Sequence, residues 1–456
     1  MRSTRIGTAT GWWGDKLDAS HVLLERGEIN YLCSDMLAEL TLAIHQRIKA
    51  KNPKLGYVNQ IIPFFEQDLK LALEKGVKII CNGGAANPEG AADVVEGIAK
   101  KQGIKKMRQG VIVGDDIMGR LDEIRKKGWK FKNLDTGEED IDRVRDRIVA
   151  ANVYTGSDKV IDAIGQNCNV ILAGRLSDNS LDVAPAMYEL GYKFTPEYTN
   201  KIASMITMAH LIECSSAVTG HNSSIWREIP EPWAVGHPIA ECYENGEFII
   251  TKPPQTGGLV SYQTIRDHLV YEVHDPNNYI MPDGIADFTS IKINDLGNNR
   301  VKITDAKGKP RPETLKVCIG YKDGFITETG CYIPWPDCWE KAQLVAETIW
   351  RRAKDVYHIN TNNMMVDFVG VNSYCGPTMF TPGKDLNEVH VRIAVKTDTE
   401  EEAERVRALG GDVAGCPVAA GGGFHTPMGT RPIMTLWPCL VPRDEVIEKL
   451  IIRDLE

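Results

Sequence analysis

Three acidic residues, Asp35, Asp178 and Glu213, stand at points where the chain leaves a regular element, and each is a group that can give or take a proton. Arg175 lies three residues before Asp178 and offers a guanidinium, which grips a carboxylate or phosphate bidentately. Asn82-Gly83-Gly84 ends an apolar run, and glycines there let the backbone pass close to a ligand. Lys252 with Gly257-Gly258 precedes a helix start, where backbone amides and a lysine suit an anionic group. The chemistry these types share is proton transfer on a small anionic molecule, with donors for a developing negative charge. Each also has a plain structural role open to it. Asp35 would place a charge near a helix N-terminus, the two glycine pairs would make a tight turn and a rigid linker, and Arg175 and Asp178 would pair with each other.

The elements that must position these residues follow from periodicity. Strands are predicted at 5–11, 29–33, 77–81, 109–113, 153–156 and 169–173, and helices at 21–26, 36–51, 64–74, 91–99, 117–127 and 158–165. In the 36–51 helix, Asp35 and Glu39 would sit four apart on one face. Pro88 suits the first position of a helix, where its missing N–H costs nothing. At least four strands end in small or charged residues: Asp35, Asn82-Gly83-Gly84, Gly114-Asp115-Asp116, and Gly174-Arg175 with Asp178. In a parallel sheet these ends share one edge, where open α/β folds bind ligands. The glycines at 7, 11 and 14 do not form GxGxxG, so Asp35 lacks the fingerprint that would make it a ribose ligand.

The expected fold class is α/β. A doubly wound, mostly parallel sheet domain spans 1–245, and an α+β domain spans 246–456. The latter opens near an Asn245-Gly246 hairpin turn and has a ferredoxin-like βαββαβ core at about 313–440. Between its last helix and strand lie Cys416, Gly421-Gly422-Gly423 and His425, a Cys/His pair that nothing in the sequence brings together.

The chain has 456 residues and a net charge of −9, which argues against a general nucleic-acid or anionic-membrane surface while leaving room for a local basic pocket. It shows no apolar run of the ~18 residues a spanning helix needs and no cleavage-type signal peptide. Its eleven cysteines lack paired spacing. Free thiols and a cytoplasmic location are therefore expected. No tight metal-ligand motif is present, and no metal or cofactor is assigned, with CoA entering only as part of a substrate.

The order of several stretches resembles the acyclic terpene utilisation family, the AtuA-type proteins. These are Gly11-Trp12-Trp13-Gly14-Asp15, the segment from Asp35 to Leu42, Asn82 to Pro88, Gly174-Arg175-Leu176-Ser177-Asp178, Thr251 to Ser261, and Gly421-Gly422-Gly423. The chain departs from the family pattern at 416–420, where relatives read Gly-Pro-Ala, and carries His221 after Thr219-Gly220. The resemblance implies catabolism of branched terpene acids through acyl-CoA thioesters, by lyase or hydratase steps, often beside a small partner protein. It carries no agreed catalytic residues. The leading expectation is thus a lyase or hydratase acting on a small branched organic acid or its thioester. Asp178, Glu213 and Asp35 would be its acid or base, and Arg175, Lys252 and the Gly83-Gly84 amides would hold the anion. Two alternatives are a non-catalytic subunit needing a small partner, and a metal-dependent hydrolase built on Asp115-Asp116, His210 and Glu213. A homo-oligomer is expected in any case.

Overall fold

A computed structural model describes residues 1–455 apart from 375, 377–385, 416–423 and 426–428. Cys416 and the triple glycine fall outside the described residues, as does the side chain of His425.

The first half alternates strand and helix: β1 (Ser3–Thr10), α1 (Asp18–Arg26), β2 (Tyr31–Ser34), α2 (Glu39–Lys51), α3 (Ile61–Lys75), β3 (Lys78–Cys81), α4 (Pro88–Lys101), β4 (Met107–Val113), α5 (Leu121–Lys126), β5 (Ile148–Val153), α6 (Asp158–Gly165), β6 (Val170–Ala173), α7 (Ser180–Leu190) and α8 (Thr199–Glu213). The fold is α/β, built on a ten-stranded mixed sheet. Its centre is parallel, in the order β1-β2-β3-β6-β4. The flanks are antiparallel. Ile239–Tyr243 pairs with β1 and continues through Phe248–Thr251, and Lys449–Leu455 closes the other edge on β4. "Mostly parallel" therefore holds only for the middle five strands, because the hairpin and the C-terminal strand add antiparallel edges without crossover helices.

Alternation along these short strands divides the core into two faces. Ile6, Tyr31, Cys33, Ile80 and Ile171 pack on one side with α6, α7 and α8. Leu32, Ile79, Cys81, Val111 and Leu172 pack on the other with α1, α3 and α4. A sheet buried on both faces needs near-continuous apolar strands, and that is what 77–81 and 169–173 supply.

Several boundaries differ from the periodicity: α1 and α3 start at Asp18 and Ile61, ahead of 21 and 64, and the strand expected at 153–156 is β5, Ile148–Val153. α2 begins at Glu39, not at 36. The Asp35 carboxylate accepts the Leu37 amide at 2.8 Å, a local turn that competes with helix and holds 36–38 outside it. Asp35 and Glu39 consequently do not share a helix face. Pro88 does occupy the first turn of α4, with the Asn87 side chain capping Gly90 N at 3.1 Å.

The chain divides into two compact units, 1–320 with 436–456, and 321–435. The division does not fall at 245/246, because the hairpin at Ile239–Thr251 joins the large sheet through β1. In the smaller unit a strand, Cys338–Asp355 (helix), Met364–Val369, Glu388–Thr397, Glu400–Ala414 (helix), the short strand Phe424–His425 and a last strand follow in turn, the βαββαβ order with one added strand. No helix among the described residues is long and apolar enough to cross a membrane.

Candidate functional site

The carboxyl ends of the parallel strands open into a cavity of about 660 Å³ within the larger unit, bordered by Gly11 and Trp12 after β1, Asp35 after β2, Arg175 and Asp178 after β6, and Glu213 at the end of α8. A second lobe of about 510 Å³ shares Glu39, Tyr154, Asp178, Glu213 and Glu272 with the first, so the two adjoin at these side chains. Its remaining wall is largely apolar, with Ile280, Met281, Ile285, Leu315 and Leu440. The site thus has a polar lobe and an apolar lobe, with carboxyl groups at their junction.

Arg175 is the one fully buried cation here, at 1% exposure. Its Nη2 donates to Asp178 Oδ1, and its guanidinium lies 4.0 Å from the centre of the Tyr154 ring. Burial works against its charge, but Asp178, Tyr154 and Asp35 hold it protonated. Its Nε and Nη1 have no hydrogen-bond partner. A buried donor left unpaired is costly. The backbone beneath is fixed by Asp115, whose Oδ2 accepts Arg175 N at 2.9 Å and Asn152 Nδ2 at 2.8 Å. Gly174 is required for that approach, because a Cβ there would sit 2.3 Å from Asp115 Oδ1.

The carboxyl groups differ in environment. Asp35 is buried, and burial with the nearby Asp178 pushes it well above the ordinary carboxylate range, against the opposing pull of Arg175, Asn82 and the Leu37 amide. Glu213 is pushed well above its ordinary value by burial and by Asp178, Asp35 and Asp182. Its Oε2 accepts Asn179 Nδ2 at 2.7 Å, and its Oε1 lies 3.2 Å from His210 Nδ1. Asp178, by contrast, is 42% exposed on its side chain and ion-paired with Arg175. Two buried acids whose carboxyls are pushed upward, and a third acid paired with a buried cation, form a set able to move protons beside a bound anion.

Asp35, Arg175, Asp178 and Glu213 therefore border one cavity. Asn82 lies one layer beneath. It donates to Asp35 Oδ1 at 2.7 Å and accepts Met36 N at 2.8 Å, so it orients Asp35 and does not border the cavity. Gly83 and Gly84 also serve packing. A Cβ on Gly83 would lie 2.5 Å from Ile61, and one on Gly84 would lie 2.5 Å from the Ala173 carbonyl. Neither glycine adopts a positive φ; the left-handed residue in that turn is Ala85, at φ 46°. Lys252 is tied to its own loop, donating to Thr256 O at 2.6 Å, and Gly257 and Gly258 abut the carbonyls of Glu231 and Thr219. None of the three borders the cavity, because that loop closes on neighbouring backbone.

The metal-hydrolase arrangement is likewise not assembled. Asp115 is committed to Arg175 and Asn152, and Asp116 accepts Gln46 Nε2 and Met118 N. Among the described residues no three His, Cys, Asp or Glu side chains come together in a way that could hold a metal ion. Sequence reasoning missed Tyr154, Glu272 and Trp12 as wall residues. Tyr154 carried a usable signal, an aromatic at the end of a predicted strand beside four other functional strand ends. His221, noted as a departure from the family pattern, also borders the polar lobe, with Nδ1 2.7 Å from Ser216 Oγ.

The sequence profile described as acyclic terpene utilisation family protein AtuA matches residues 4–452. The chain belongs to this family. Comparison with curated proteins and with solved structures finds no match. AtuA membership ties the chain to acyclic terpene utilisation, a catabolic role. The match runs through β1, the strand ends around the cavity and the C-terminal edge strand, so the site lies wholly within the AtuA profile.

Proposed function

We propose that the protein is a lyase or hydratase acting on a small branched organic acid or its thioester. The observation that carries this is Arg175, a buried cation with two unpartnered nitrogens set among Asp35, Asp178 and Glu213 at one cavity. Arg175 would hold a carboxylate, or the oxyanion that develops from a thioester carbonyl, displacing the exposed Asp178 from part of its grip. Asp178 and Glu213 stand at the junction of the lobes, where the carbon next to that carboxylate would lie, and would move the protons of addition or elimination. Asp35, its carboxyl pushed upward by burial and Asp178, would donate toward the developing charge. The apolar lobe would take the hydrocarbon part. The many carboxyl groups of the lining favour a carbonyl or hydroxyl head over phosphates, so the phosphates of a CoA thioester would stay outside.

The test is a binding and turnover screen of the isolated chain with short branched acids and their CoA thioesters. The expected result is a raised melting temperature with some of these compounds and conversion of at least one to a hydrated or dehydrated product. Binding without turnover, restored by a small partner protein, would replace this reading with the subunit alternative. No binding by any of them would end it.

A further inference from the structure

His210 is fully buried on α8 and lies one turn before Glu213. Its Nε2 faces the His268 carbonyl at 3.2 Å, and His268 Nε2 in turn faces the His210 carbonyl at 2.9 Å. A carbonyl only accepts, so Nε2 of each ring must carry hydrogen. That fixes the neutral His210 ring with a lone pair on Nδ1, the atom 3.2 Å from Glu213 Oε1. On the far side of the carboxyl, Asn179 Nδ2 donates to Oε2 at 2.7 Å. The amide is held in that orientation by Tyr279, whose hydroxyl donates to Asn179 Oδ1 at 3.3 Å. Asn179 occupies one lone pair of Oε2 while Nδ1 offers a lone pair to Oε1, so the resting proton of this carboxyl is best placed on Oε1, pointing at His210.

We propose that Glu213 and His210 form a two-step proton relay, with Glu213 Oε2 as the proton acceptor toward the cavity and His210 as the positioning residue that takes the Oε1 proton. The step is balanced. A substrate C–H bond breaks and its electron pair stays on the substrate as an enolate. The proton forms a bond to Oε2, the Oε1–H bond breaks, and that proton forms a bond to Nδ1. One proton enters, and the imidazolium charge offsets the enolate. The relay lets an acid that rests protonated act as a base, which an isolated neutral carboxyl cannot do.

The surroundings favour the resting state. Burial and His268 lower His210 to about 3. Burial, Asp178, Asp35, Asp182 and Glu272 raise Glu213. The other groups packed on the His210 ring are Tyr279 at 5.0 Å and Phe288 at 5.1 Å, neither of which supplies an opposing charge. The proton thus sits on Glu213 until a negative charge forms in the cavity.

The relay rests on the enzyme reading above, but its resting state is measurable without a substrate. In the full chain near neutral pH, side-chain nitrogen NMR should show His210 as the neutral ring with hydrogen on Nε2. Infrared spectra should show a carboxylic-acid C=O band that Glu213→Gln removes. An imidazolium, an Nδ1–H ring, or no such band would overturn the proposal. His210→Gln keeps an acceptor toward Glu213 and a donor toward His268 yet holds no proton. With any acid the screen identifies, it should lower kcat by about 100-fold, in the range for a lost acid–base group, while KM changes less than twofold. Wild-type kcat and pH profile in H210Q would overturn the relay and leave the enzyme reading standing. A screen that finds no substrate, with the NMR and infrared results as stated, would leave the proton pair standing and end the enzyme reading.

Discussion

Replacing Arg175 with Met separates what the buried cation does for the fold from what it does for a ligand. Methionine keeps most of the volume and removes the charge. The losses to the fold are the ion pair with Asp178 and the stacking on Tyr154 at 4.0 Å. Asp178 is 42% exposed and rehydrates when released, so that pair is worth about 1 kcal/mol. The desolvated cation–π contact adds about 2 kcal/mol. Against these stands the relief of a cation that no longer has to be kept out of water at 1% exposure. The net destabilisation should not exceed about 2–3 kcal/mol, and the variant should fold. Ligand binding should suffer separately. A charge-assisted hydrogen bond contributes about 1.5–3 kcal/mol, and 1.4 kcal/mol is a factor of ten, so affinity for a carboxylate should fall by about 10- to 100-fold. Calorimetric titration of wild type and R175M with the same acid and with its neutral amide gives the comparison. The acid should lose affinity and the amide should not. Equal loss for both, or an unchanged affinity for the acid, would refute the assignment of Arg175 to an anionic group.

Asp178→Asn should lower turnover while leaving affinity within a few-fold, as kinetic assay and titration together would show; a parallel fall in both would point to a purely structural pair. Asp182 is fully buried and raised to about 7, mainly by burial. Its proton is bound more tightly in the folded state, so its stabilisation is complete below the ordinary value near 4 and is lost as pH rises toward 7, at up to about 1.4 kcal/mol per pH unit. Urea unfolding at pH 5 and pH 8 should show that loss in wild type and a flatter dependence in D182N; equal slopes would count against it. Gly84→Ala places a methyl group 2.5 Å from the Ala173 carbonyl and should cut the melting temperature sharply, whereas a normal melting curve would reopen a ligand role for that turn. Thiol titration of the denatured, unreduced protein should find close to all eleven cysteines, and light scattering at micromolar concentration should show more than one chain per particle; several disulfides or a monomer mass would contradict these two expectations.

Much of the scaffold was legible because it is locally encoded. Apolar runs at 77–81 and 169–173 mark strands buried on both faces, Asn87-Pro88 marks a helix start, and Asn245-Gly246 marks a hairpin that forms as expected between Ile239–Tyr243 and Phe248–Thr251. The order of strand ends also placed Asp35, Arg175 and Asp178 on one edge, since residues that follow parallel strands must emerge together. What the sequence did not carry was depth. Asn82 and Asp35 end adjacent strands, yet one lies beneath the other because the Asn82 amide has two backbone and side-chain partners to satisfy below the cavity floor. Gly83-Gly84 and Gly257-Gly258 look alike as glycine pairs, and only packing shows that both are shaped by neighbouring protein atoms. The join of the hairpin to β1 moved the boundary between units, because strand pairing is a through-space event with no local signature. The His210–Glu213 contact lies on one helix and its spacing was visible from the start, but its meaning depends on a carbonyl 58 residues away at His268. Periodicity fixes which face a residue takes; only the assembled fold decides which atom meets it there.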